Sequence, residues 1–137
     1  LLWLAVGAGR QAAGRAGPGS TLRLAAILGA ESALTNGLVK AAFRRVRPEF
    51  ATAGTGPLPF GMRRPVTSAF PSGHATSAFT AAAYLAVGDP LGPAYRGLAV
   101  VVAASRVYVG LHHASDAVGG ALLGMAFGRV ARRLAAR

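Results

Sequence analysis

The segment 105-SRVYVGLHHASD-116 is written mostly in apolar letters, yet it holds an arginine, two adjacent histidines and an aspartate. Each of these groups is costly to bury without a partner. The segment therefore implies that other parts of the chain come to meet it. Working outward to find those parts gives both an architecture and a candidate site.

Composition narrows the field first. Hydrophobic residues make up 53% of the 137 and charged residues only 14%, against roughly 25% charged in ordinary soluble domains. That balance leans towards a membrane protein. Fifteen basic residues stand against four acidic ones, a net charge of +11. Such an excess fits a basic surface, a nucleic-acid partner, or a membrane protein with arginine flanks and an anionic substrate. No RNA-binding or zinc-finger motif is present and aromatic residues are sparse, so no nucleic acid is expected. The absence of cysteine excludes disulfides and thiolate chemistry. The length suits one domain over residues 1–137. The start, 1-LLWLAVGAGR-10, lacks a methionine and reads as a helix remnant, as of a fragment or a processed chain. The end, 129-RVARRLAAR-137, reads as a basic amphipathic tail. The oligomeric state is not readable.

The pattern along the chain is all-α, with about five helices and no alternating apolar–polar run. A first helix covers residues 1 to 14, and 15-RAGPGS-20 is a turn in which Ser20 or Thr21 caps the second helix. That long helix spans 21 to 44, interrupted by Glu31 and Asn36, which read as interhelical hydrogen-bond partners. Pro48 closes it. Residues 48 to 71 form a loop with five prolines, too long to be idle in so compact a chain. Three more helices cover 74–88, 94–111 and 115–134, with Ser115 or Asp116 at the start of the last. The short connections make consecutive helices antiparallel neighbours. A membrane span needs about 20 mostly apolar residues. The stretches 75–95, 91–111 and 114–134 reach that length only with a charge included.

Alternation sorts the charges to two ends. Arg10, Arg15, Arg23, Arg96, Arg129, Arg132, Arg133 and Arg137 fall at one, which is cytoplasmic by the positive-inside tendency. Lys40, Arg44, Arg45, Arg47, Arg63, Arg64, His74, His112 and Asp116 fall at the other. That second end is too basic for a non-cytoplasmic face unless something anionic binds there. Three separated stretches meet at it: 40-KAAFRRVRP-48, 71-PSGHATS-77 and the opening segment.

Their chemistry points to a phosphoryl group. Lys40, Arg47 and Arg106 are fixed cations, and arginine forks match phosphate oxygens. The 72-SGH-74 stretch opens a helix, so free backbone N–H groups face the same place, and Gly73 lets an oxyanion approach closely. A carboxylate at Asp116, four residues after His112, can accept the ring N–H and free the other nitrogen as a nucleophile. His74, from another helix, faces it as general acid and base. The rival is a metal site from His74, His112 and Asp116. Three nearby cations and the lack of a fourth ligand weigh against it. His113 reads as a dipole or capping partner, and Arg44, Arg45, Arg63 and Arg64 as solvated or headgroup-facing.

The three stretches resemble the tripartite signature of the type 2 phosphatidic acid phosphatase family: K-x6-R-P, P-S-G-H and S-R-x5-H-x3-D. Here they are Lys40 with Arg47-Pro48, Pro71-Ser72-Gly73-His74, and Ser105-Arg106 with His112 and Asp116. All spacings match in order, and the register selects His112 over His113. The run 63-RRPVTSAFPSGH-74 is similar to actinobacterial members. The resemblance implies a helical bundle, commonly of six membrane spans against about five helices here, so that a first helix is expected to be missing, and a phosphatase acting on a lipid phosphate without metal or other cofactor. It implies that Lys40, Arg47, Ser72, Gly73 and Arg106 hold the phosphate. His112 would be the nucleophile that becomes a phosphohistidine, Asp116 its orienter and His74 the general acid–base group. It also implies an active site on the non-cytoplasmic face of a cell membrane. The same core occurs in vanadium haloperoxidases, the alternative along with a non-catalytic lipid-phosphate-binding protein. The lipid itself is not encoded legibly.

Overall fold

A computed structural model describes residues 1–48 and 67–135 of the chain. Most of the expected 48–71 loop, including Arg63 and Arg64, lies outside the described residues, as do the last two residues of the basic tail. Among the described residues the chain is all-helical. Helix α1 is Leu2–Ala12 and α2 is Ser20–Ala33, the latter continued by a π-helical stretch, Leu34–Val39, and a last turn, Lys40–Ala42. Helix α3 is Gly73–Leu85, α4 is Gly92–Tyr108 and α5 is Ala114–Ala135. Each expected helix is present. The expected cap of α2 is not: Gly19, in the left-handed region with φ of 75°, takes the N-cap position. Ser20 already lies inside the helix, and its hydroxyl donates to Gln11 Oε1.

The π-helical stretch refines the expected interruptions at Glu31 and Asn36. Thr35 Oγ1 donates to Glu31 Oε1 at 2.9 Å, and Asn36 Nδ2 donates to the Ser32 carbonyl at 3.0 Å. Side chains that bond back to the preceding turn compete with the backbone ladder and loosen it. The extra residue per turn rotates everything after it, and Lys40 is the first residue beyond it. Glu31 is also an interhelical partner as expected, accepting from Ser77 Oγ at 2.6 Å. Asn36, by contrast, bonds among the described residues to Ser32 of its own helix.

Helix α3 is the centre of the bundle, packed against α2, α4 and α5. Its contact with α5 is set by small residues. Gly120, Gly124 and Gly128 repeat every four residues on one face of α5, opposite the carbonyls of Ser72, Thr76 and Thr80 on α3. A Cβ at Gly120 would meet the Ser72 carbonyl at 2.6 Å, and one at Gly128 would meet that of Thr80 at 2.6 Å. Backbones this close permit Thr80 Oγ1 to donate across the interface to the Gly124 carbonyl. Small-residue stripes of this kind allow close helix contact by van der Waals packing alone.

The distribution of side chains results from that packing. The interior holds Ala75, Ala78, Ala81, Ala82, Ala99 and Ala103 with Trp3, Leu24, Leu85 and Tyr95. Large apolar residues face outward, among them Leu22, Val100, Val101, Val118, Leu122 and Leu134. Among the described residues no helix is both long and apolar enough to cross a membrane. Helices α3 and α4 are 13 and 17 residues long. The 22 residues of α5 include Asp116 near one end and Arg129, Arg132 and Arg133 near the other.

The glycine stripe generates a contrast that thermal unfolding can check. Gly124→Ala drives a methyl into the Thr76 carbonyl and is expected to cost about 1–3 kcal/mol. Gly97→Ala, inside α4 with nothing within 4 Å, is expected to be neutral or stabilising by up to about 1 kcal/mol. Equal midpoints for the two variants would contradict the packing described.

Candidate active site

The end of α2, the start of α3 and the α4–α5 connection converge at one level. Backbone bonds tie them: the Ser72 N–H donates to the Asp116 carbonyl at 3.0 Å, and the Ala69 N–H donates to the Arg45 carbonyl at 3.0 Å. A cavity of about 860 Å³ opens there. Lys40, Arg47, Gly73, His74, Arg106 and His112 all line it. Six of the eight residues singled out from the sequence thus share one space. The other two, Ser72 and Asp116, are fully buried behind it.

Arg47 is the most constrained cation. It is only 7% exposed. Its Nη1 donates to the Leu111 carbonyl at 2.7 Å, and its Nη2 to the Thr67 carbonyl at 3.1 Å. Nη1 also lies 3.3 Å from His112 Nε2. Its Nε is buried with no hydrogen-bond partner among the described residues. Lys40 Nζ reaches Thr67 Oγ1 at 3.4 Å and lies beside Gly73, where a Cβ would come within 3.8 Å of it. The missing side chain at Gly73 leaves room between Lys40 and the start of α3. Ser72 is the N-cap of α3, its hydroxyl accepting from the Ala75 N–H.

His112 sits in the connection before α5. Nδ1 lies 2.7 Å from the Ala69 carbonyl. A carbonyl only accepts, so Nδ1 carries the proton and donates it. Nε2, facing Arg47, keeps its lone pair. The motif spacing assigns this orienting role to Asp116 alone, but Asp116 Oδ2 is 3.7 Å from Nδ1, beyond hydrogen-bond reach. The reason is local. Oδ2 accepts the His113 N–H at 2.8 Å, capping the helix from its first turn as an acidic residue there does. His112 precedes that turn, so the helical i,i+4 geometry does not extend to it. Asp116 still stands near enough to stabilise positive charge on the ring.

Burial, and then the Arg47 charge, push the His112 pKa down to about 4, against the opposing pull of the Ala69 carbonyl and Asp116. The ring is therefore neutral near pH 7. His113 is at the N-cap of α5, its ring nitrogen 3.3 Å from the Val46 carbonyl, in keeping with a structural role. Among the described residues no three His, Asp or Glu side chains gather into a set able to hold a metal ion.

One participant is not visible in the sequence. Arg45, expected to be solvated or to face headgroups, has Nη1 3.0 Å from Asp116 Oδ1 and donates to Ser115 Oγ at 2.8 Å. The side chain remains 41% exposed while the carboxylate is fully buried. Nothing distinguishes Arg45 from Arg44 in sequence. The backbone at Phe43 is already extended, φ −122° and ψ 121°, so both arginines lie beyond the helical turn. The apolar part of the cavity lining is equally unmarked: Leu1, Leu2, Trp3, Leu4, Ala25, Leu28 and Val102 also line it.

A scan against family models matches residues 20–137 to the PAP2 superfamily. Among solved structures, the chain is similar to the crystal structure of the first transmembrane PAP2 type phosphatidylglycerolphosphate phosphatase from Bacillus subtilis. The TM-score is 0.66 at 28% identity, over 98% of this chain and 67% of that one. None of the curated proteins compared matches the chain.

The His112 environment has a measurable consequence. Its ring, followed by NMR, is expected to stay neutral with the proton on Nδ1 until the pH falls to about 4. The unfolded chain binds that proton nearer the ordinary pKa of about 6.5, so stability is lost as pH falls between the two values. Arg47→Gln is expected to move the titration upward. A wild-type midpoint at the ordinary value, unmoved by Arg47→Gln, would contradict the assigned electrostatics.

Proposed function

The chain belongs to the PAP2 superfamily, and from that premise we propose that it is an integral-membrane phosphatase of lipid phosphates working through a phosphohistidine. The observation that carries this reading is the pairing, in one cavity, of a neutral histidine lone pair with three fixed cations. Lys40, Arg47 and Arg106 supply charge for the oxygens of a phosphoryl group, and the N–H groups of the first turn of α3 point the same way. The buried, unpartnered Nε of Arg47 is a donor that a phosphate oxygen satisfies.

The chemistry runs in two displacements. His112 Nε2 attacks phosphorus and forms the P–N bond as the P–O bond to the lipid breaks. His74 delivers its proton to the departing oxygen. Charge on the phosphorylated ring is held by the Ala69 carbonyl at Nδ1 and by the Asp116 carboxylate nearby. Water then attacks phosphorus from the vacated side, His74 takes its proton, and the P–N bond breaks to release phosphate and restore Nε2. Ser72 contributes by fixing the start of α3, and Arg45 by holding Asp116. None of these steps calls on a metal ion.

The lipid nature of the substrate rests on the cavity's two walls. One is cationic; the other is the apolar surface from Leu1–Leu4, Ala25, Leu28 and Val102, suited to hydrocarbon. The membrane location rests on the inverted side-chain distribution, with alanine, threonine and glycine inside and leucine and valine outside. Apolar exposure on this scale marks a surface meeting another apolar phase. The short helices and the end charges of α5 are compatible with it, because long basic side chains at helix ends reach the interface. With the arginine-rich end cytoplasmic, the catalytic cavity opens on the other face. The Bacillus subtilis neighbour is named as a phosphatidylglycerolphosphate phosphatase, which makes that lipid the first member of a test panel.

The test is phosphate release from purified protein in detergent against phosphatidate, phosphatidylglycerol phosphate and polyprenyl pyrophosphate. Activity on at least one is expected, with EDTA tolerated and vanadate inhibitory. His112→Ala should abolish turnover while retaining most lipid-phosphate binding. Asp116→Asn should lower turnover by a large but smaller factor, and His113→Ala should be nearly silent. Chelator-sensitive activity restored by zinc or magnesium would overturn the metal-free mechanism. Full activity in His112→Ala would overturn the nucleophile.

A further inference from the structure

A second concavity lies at the opposite end of the bundle. It holds about 270 Å³ and is lined by Arg10, Ser20, Arg23, Tyr84 and Arg132 with small and apolar residues between them. These residues come from α1, α2, α3 and α5. Tyr84 and His74 are ten residues apart on α3, which places the two cavities roughly 15 Å apart along that helix.

The charge there is not balanced from within. The whole chain has four acidic residues. Glu31 is engaged by Thr35 and Ser77, and Asp116 by Arg45 and the His113 N–H. Asp89 takes Arg10 Nε at 2.7 Å, and also accepts from the Leu91 N–H and the Tyr95 hydroxyl. Glu49 lies outside the described residues. No carboxylate among the described residues is left for Arg23 or Arg132. Arg10 is meanwhile held rigid, its guanidinium 5.8 Å from the Tyr95 ring centroid, with only Nε committed to Asp89. The concavity therefore gathers three guanidinium groups and a phenol around a space the size of a phosphate with its glycerol, and one carboxylate to offset them.

We infer that this concavity binds the phosphate of an anionic phospholipid headgroup, from the leaflet opposite the catalytic cavity. Three arginines forking onto one anion match phosphate oxygens in geometry as well as charge. A lipid is favoured over a free phosphate by the apolar flanks. Val87, which is exposed, lines the concavity together with Leu85 and Ala135, and these residues offer acyl chains a surface. The inference rests on the membrane location proposed above and is independent of the catalytic steps.

The experiment is native mass spectrometry of the full chain in detergent, titrated with dioleoyl phosphatidylglycerol, dioleoyl phosphatidylcholine or inorganic phosphate. Phosphatidylglycerol is a phosphodiester, so a monoesterase does not consume it. One molecule is expected to be retained in preference to phosphatidylcholine. The Arg23→Gln/Arg132→Gln protein should bind it roughly thirty-fold more weakly with an unchanged thermal midpoint. Arg96→Gln/Arg129→Gln, at the same end but outside the concavity, should retain it. So should Lys40→Gln/Arg106→Gln, which disables the catalytic cavity. Equal weakening by the Arg96/Arg129 pair would reduce the site to diffuse charge and overturn the inference. So would indifference between the two lipids, or full displacement by inorganic phosphate. A protein that holds the lipid through Arg23 and Arg132 but releases no phosphate would sink the catalytic reading alone.

Discussion

The site depends on the burial of Arg47. A guanidinium removed from water is tolerable only when its donors are met, and here the partners come from distant segments. The carbonyls of Thr67 and Leu111 and the ring of His112 surround it. One side chain thereby binds the end of the α2 segment to the approach to α3 and to the α4–α5 connection. The same contact aims a cation at the lone pair of His112 and, after burial, adds to what keeps that ring neutral. Packing and electrostatics meet in one residue, whose Nε is buried with no hydrogen-bond partner among the described residues.

That arrangement needs α3 and α5 to approach closely, since Ser72 and Asp116 are linked through the backbone. The glycine stripe of α5 permits the approach, and the alanine-rich interior is its consequence. Only a few large side chains, Trp3, Leu24, Leu85 and Tyr95 among them, are buried, and many leucines and valines face outward. In the membrane location proposed above, a bilayer around the helices would make that distribution favourable rather than costly. The two ends would then meet two interfaces, each with arginines that the four acids of the chain cannot neutralise. The proposed anionic substrate at one end and the inferred anionic headgroup at the other would answer the same physical demand.

Much of this is legible from residues alone. Helix-period apolar runs and the Pro/Gly turns give five helices, and the three motifs give six residues that share the cavity. The S-R-x5-H-x3-D spacing singles out His112, and the structure places it on the cavity while the ring of His113 turns to the Val46 carbonyl. The partner of Nδ1 is not legible, because a backbone carbonyl such as that of Ala69 leaves no mark in sequence. Nor is the π-helical stretch over 34-LTNGLV-39, which arises from Thr35 and Asn36 bonding back to Glu31 and Ser32. The contacts of Arg45 with Asp116 and Ser115 leave no mark either, because Arg44 beside it is the same residue type. The spacing of Gly120, Gly124 and Gly128 is a readable signal of close helix packing that composition alone obscures.

The central claim is that Nε2 of His112 becomes covalently phosphorylated. Rapid quenching of the protein with a 32P-labelled lipid phosphate under alkaline conditions, then peptide mapping, tests it directly. The account predicts an acid-labile phosphoryl group on the peptide bearing His112, lost in His112→Ala and retained in His113→Ala. Label that persists in His112→Ala, or turnover with no trapped intermediate under any quench, would contradict it.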